Sequence, residues 1–157
     1  MLKTSRLERL AILLENYREG DDVPKFSLDA WSVTEHRRAG FLWWGTITCH
    51  TQACAVGLAC LSGEFAADGL SCRLDGNSIT PLYRSGEYQK ADWYAVEAFF
   101  GLTNAESTRL FDGSEYDGAI YGPDAAKAVA ARIRELIAPK RTAEAVEKIK
   151  AEALAAG

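Results

Sequence analysis

The chain has 157 residues, an ordinary share of apolar residues (48%) and of charged ones (25%), and a formal net charge of -4 with a pI near 5.2. That length suits one domain around one core, and the acidic balance argues against a general nucleic-acid binder, which presents a basic face. Four cysteines in a chain this long do not make a disulfide scaffold, no apolar run is long enough for a transmembrane helix, and the N-terminus lacks the pattern of a signal peptide, so a cytoplasmic protein is expected.

In chain order, residues 5–17 read as an amphipathic helix, with Leu7, Leu10, Leu14 and Tyr17 at helical spacing and Ser5 and Glu8 at capping-box spacing. Gly20, Asp21, Asp22 and Pro24 end it. Phe26 to Trp31 suits a short strand or a helical turn, residues 35–38 a polar loop, and Phe41 to Thr48 a strand rich in aromatic and β-branched residues. The tryptophans are read first as core. The other role open to Trp43 and Trp44 is a stacking platform for a single-stranded nucleic acid or nucleotide.

A second helix is expected from about Thr51, as its N-cap, to Leu61, stopped by Gly63. It is apolar nearly all round, which is the pattern of a buried central helix. Gly57 in its middle costs about 1 kcal/mol relative to alanine, and a close backbone crossing is the usual reason to carry that cost. Residues 70–83 read as a small β-hairpin turning at Asp75-Gly76, with Pro81 marking an edge strand or a strand end. Three helices follow. The first runs from Asp92 to Phe100 and stops at Gly101. The second opens on the capping box Thr103-Asn104-Ala105-Glu106 and runs to Phe111. The third has Pro123 in its first turn, carries Val129, Ile133, Leu136 and Ile137 as its apolar stripe, and is broken by Pro139. The expected architecture is therefore mainly α (α+β), with five to six helices, a buried apolar central helix and a small β-hairpin. The globular domain is expected over 1–139 and an amphipathic helical tail over 140–157. That tail carries a narrow stripe of Val146, Ile149 and Leu154 among charges, and a helix this short is marginal alone in water. Docking on its own domain is the first expectation, packing on a partner or a second copy the alternative.

The densest chemistry lies at Cys49, His50 and Cys54, with Cys60 shortly after. Cys-x4-Cys falls within the broad range of zinc spacings. A zinc site of Cys49, His50 and Cys54, joined by Cys72, is one reading. A thiol-redox pair at Cys49 and Cys54 is another, because a helix start lowers a thiol pKa. The plainest reading makes Cys54 and Cys60 small core residues. A nucleophile needs a base, but His50 is next to Cys49 in sequence and His36 reads as a solvated loop residue. No phosphate-binding glycine loop or nucleophile elbow is present, so no coherent catalytic set emerges.

The spacing Cys49-x-Thr51-x-x-Cys54-x-x-Gly57, with Phe100-Gly101-Leu102-Thr103, Glu106 and Leu110-Phe111 downstream, resembles a family of small uncharacterised bacterial and bacteriophage proteins. Their motif runs Cys-Gly-Thr/Ser-x-x-Cys-x-x-Gly, and the likeness covers about residues 5–137. The chain departs from it at His50, where glycine is usual. The resemblance implies a bacterial or phage setting. The expected function is a non-enzymatic interaction protein that binds a protein partner, with no cofactor beyond a possible zinc. The contact surfaces expected are the loop carrying Tyr116 and Tyr121 and the stripe of Val146, Ile149 and Leu154.

Overall fold

The computed structural model describes residues 1–20, 23–29, 32–34, 51–75 and 78–155. Among them are five α-helices, α1 (Thr4–Glu15), α2 (Ala55–Ser62), α3 (Asp92–Phe100), α4 (Asn104–Phe111) and α5 (Gly122–Ala155). Six short strands accompany them: β1 (Lys25–Phe26), β2 (Ser32–Thr34), β3 (Thr51–Ala53), β4 (Leu70–Asp75), β5 (Ser78–Ser85) and β6 (Tyr88–Ala91). The class is mainly α (α+β). The expected hairpin is β4 and β5, paired from Leu70 with Tyr83 to Asp75 with Ser78, and it belongs to a larger sheet. The strand order is β1-β3-β2-β5-β4, with β6 also on β5; β1 and β3 are parallel and the other pairs antiparallel.

β5 therefore lies inside the sheet, although Pro81 suggests an edge. The register resolves the conflict. Arg84 N donates to the Gly69 carbonyl at 3.0 Å, so the even-numbered residues of β5 turn their N–H groups toward the β4 side and Pro81, three residues earlier, turns away from it. The backbone nitrogen of Pro81 then faces away from β4, toward the edge shared by β2 and β6. β6 ends its pairing at Leu82 with Ala91, and β2 meets β5 at Ser78. Proline occupies the interval between them, where its missing N–H breaks no rung of the ladder. β6 itself has no strong sequence signature: it is only four residues long, and its first three are exposed.

α2 and α3 pack on the sheet, α1 touches both, and α5 lies along α1. Their shared core holds Leu7, Leu10 and Leu14 of α1, Val56 of α2, Phe99 and Phe100 of α3, and Val129, Ile133 and Ile137 of α5, all at most 1% exposed. Phe65 meets Phe99 and Phe100 edge-on, with ring centres 5.6 and 6.3 Å apart, the arrangement that aromatic quadrupoles favour.

Local signals explain most helix ends. α4 has its complete capping box: Glu106 N donates to Thr103 Oγ1 at 3.3 Å, and Thr103 N donates to Glu106 Oε2 at 2.7 Å. α3 stops at Gly101, whose φ of 68° is left-handed, and a Cβ there would lie 2.1 Å from the Met1 carbonyl oxygen. Only glycine lets the start of the chain cross so closely.

Three ends differ from the sequence reading. The capping box expected at Ser5 and Glu8 does not form. α1 is capped at Lys3 without a side-chain bond, and Glu8 instead meets Arg134 and Arg141 of α5 at 3.3 and 3.0 Å. Thr51 does not cap α2. It is in β3, paired with Thr34 of β2, as its β-branch favours, and Cys54 is the cap. Finally, α5 runs through Pro139 without stopping. Proline removes one helical donor, and just past it Arg141 reaches Glu8 of α1 at 3.0 Å.

Candidate functional site

Two regions carry the residues singled out by sequence. The first is the start of α2. Cys49 and His50 lie outside the described residues, as do His36, Trp43 and Trp44. Cys54 is buried, with extended backbone, and its Sγ accepts from Gly57 N at 3.5 Å. The helix start was expected to lower its thiol pKa. Burial overrides that: loss of water pushes the thiol up to about 11, against the weaker opposing pull of the backbone N–H groups. Here Cys54 is a small buried residue that caps α2. Among the described residues no group of three or more His, Cys, Asp or Glu side chains is placed to hold a metal ion. α2 is buried from Ala55 to Cys60, as its apolar composition predicts.

The second region is α5 and the loop before it. Tyr116 is half-buried. Its hydroxyl donates to the Leu110 carbonyl at 2.6 Å, and the Arg132 guanidinium stacks 3.7 Å from its ring centre. Burial raises the phenol to about 12 despite that cation. Arg132 also donates to the carbonyl of Arg109, in the last turn of α4, and to that of Glu115 in the loop that follows. Tyr121 is more exposed, at 56%, and its hydroxyl donates to the Asp29 carboxylate. That carboxylate disfavours loss of the phenolic proton and raises the Tyr121 pKa. Both tyrosines thus have partners within the chain.

The distal part of α5 differs. From Ala138 onward, every residue whose burial is described is exposed. Val146 is 44% exposed and Ile149 65% exposed; three residues apart, they share one side of the helix. Leu154 lies in the same helix, at a position whose side chain is not described. At 1.5 Å per residue, Tyr121 and Ile149 are separated by about 40 Å of helix, so they cannot belong to one compact patch.

Sequence reasoning overlooked the arginines that hold α1 and α5 in place. Arg134 pairs with Glu8 and Glu15 of α1, and Arg9 pairs with Asp68 at 2.6 Å while stacking 4.6 Å from the Phe65 ring centre. Their signal in sequence is weak, because each partner lies many positions away. Among the described residues no helix is long and apolar enough to cross a membrane. No protein-family model, curated protein or solved structure matches the chain.

Proposed function

We propose that this chain is a non-enzymatic, cytoplasmic interaction protein of bacterial or phage origin, which binds a protein partner through the distal half of α5. One observation supports the reading: a helix anchored in the core continues well past it, with Val146 and Ile149 exposed on one side. Apolar side chains at i and i+3 on an amphipathic helix are the anchors by which such helices enter a partner's groove. A segment this short gains little from helix formation alone, so burial of the stripe against a partner would stabilise it. The tyrosines of the preceding loop are secondary in this reading, since Tyr116 and Tyr121 are already bonded within the chain.

The experiment compares the full chain with two variants, deletion of 140–157 and Val146→Asp with Ile149→Asp. Affinity capture from bacterial lysate and light scattering read partner binding and oligomeric state; thermal melting reads the body. The expected result is loss of a captured partner in both variants with an unchanged melting temperature. Identical capture and oligomeric state in all three proteins would remove the tail from the function. Elemental analysis under reducing conditions tests the competing zinc reading: stoichiometric zinc would move the function to Cys49, His50 and Cys54.

A further inference from the structure

Cys60 lies near the end of α2, buried, and its Sγ donates to the Ser71 carbonyl oxygen at 3.3 Å. The next residue in β4 is Cys72, also a free thiol. Bond lengths alone place the Cys72 Cα within about 6 Å of the Cys60 sulfur, since it is covalently fixed to the peptide that this sulfur contacts. The side of the strand is fixed as well. Side chains alternate along β4: Leu70 is buried, Ser71 is exposed, and Cys72 is half-buried against the core. Cys72 therefore projects to the same face as Leu70, the face on which α2 packs. Cys54 is not a competitor for Cys60, being six residues earlier and about 9 Å away along the helix axis.

We infer that Cys60 and Cys72 form a peroxide-responsive thiol pair, closing to a disulfide that ties α2 to β4. Cys72 is the more exposed of the two and is the point of entry. Its thiolate attacks hydrogen peroxide, the O–O bond breaks, and a sulfenic acid and water result. The Cys60 sulfur then attacks the Cys72 sulfur, the S–O bond breaks, and a second water leaves with the Cys60 proton. In sum, two thiols are oxidised to one disulfide while one peroxide is reduced to two waters. Burial holds both thiols above their ordinary range, so the reduced pair is neutral at rest and responds to peroxide only slowly. The link would fasten the buried helix to the hairpin on which it rests.

The test uses the full chain, reduced, desalted and exposed to hydrogen peroxide while folded. Remaining thiols are then alkylated in denaturant, and a non-reducing digest is mapped by mass spectrometry. The expected result is a peptide pair joined through Cys60 and Cys72, reversed by dithiothreitol, with two of the four thiols lost. Cys72→Ala, at a half-buried position, is expected to fold by circular dichroism and to lose the link; Cys60→Ala checks the other end. The inference is overturned by retention of all four thiols, by a disulfide joining other cysteines, or by over-oxidation of Cys72 with Cys60 still free.

Discussion

The two halves of α5 are one continuous helix held by different forces. Up to Ile137, the helix presents Ala125, Ala126, Val129, Ala130, Ile133 and Ile137 to the core, each at most 1% exposed. Beyond Pro139 the ties among the described residues are polar: Arg141 to Glu8 at 3.0 Å, Lys150 to Glu147 at 3.1 Å, and Lys148 to Glu152 at 3.9 Å. Pairs of the last two kinds contribute about 0.2–0.5 kcal/mol each. Burying one large apolar side chain contributes about 1.5–3 kcal/mol. The proximal half is thus specified by the fold, whereas the distal half has little beyond a weak intrinsic helix propensity to hold it. The contrast shows why the same residue type means different things on one helix. Ile133 is structural, whereas Ile149 is available to something else.

The most direct way to break this comparison is to truncate both isoleucines. Ile133→Ala should cost about 2–5 kcal/mol, the range for a buried aliphatic residue leaving a cavity. Ile149→Ala should stay within about 0.5 kcal/mol, as for an exposed site. Urea denaturation of each variant measures both. Comparable losses would mean that the distal half is packed in solution and is not a free surface.

Replacing Pro139 by alanine sharpens the boundary between the halves. Proline inside a helix is about 3 kcal/mol worse than alanine in host peptides. The gain in Pro139→Ala should be confined to the distal half, because Ile137 is the last core residue among those described. Hydrogen exchange of the amides from 140 to 155 should slow, while protection of α1 and the proximal half stays as it was. A change spread over the whole protein would show that Pro139 strains the body.

The sequence reading succeeded where the signal was local. α3 with its Gly101 stop, the capping box at Thr103 and Glu106, the buried α2 and the pairing of β4 with β5 are all set by residues close to one another in sequence. It failed where a distant partner outbid a local one. Glu8 had the spacing to cap α1 but is drawn to two arginines of α5, and Thr51 had a capping residue's chemistry but is taken by the strand pairing of β3. Pro139 reads as a stop only when its neighbours are ignored. The candidate site was less legible still. The fall in thiol pKa expected at Cys54 from helix position is reversed by burial, which no spacing reports. The nearness of Cys60 to the peptide before Cys72 depends on how a helix lies on a strand.

A smaller effect than that of Ile133 or Pro139 is expected in the clamp between α1 and the proximal half. Arg134 Nε donates to Glu15 Oε1 at 2.9 Å and its Nη2 to Oε2 at 3.0 Å, a two-pronged pair, with Glu8 on its third nitrogen. The hydrogen bonds from Arg134 hold the Glu15 carboxyl below its ordinary value of 4.5, against a smaller opposing effect of burial. A carboxylate whose pKa is lower in the folded state contributes stability that is present above the unfolded pKa. It is lost as pH falls through the folded one. Arg134→Met keeps the apolar stem and removes the charge, so it should cost about 0.2–1 kcal/mol at neutral pH, the range for exposed pairs. Below the folded pKa of Glu15 the cost should shrink, because wild type has lost the same pair. Parallel urea titrations at neutral and acidic pH would read this as two stability curves that converge on acidification. Curves separated by a constant gap would instead show that the cost of losing Arg134 does not come from its pairs with Glu15 and Glu8.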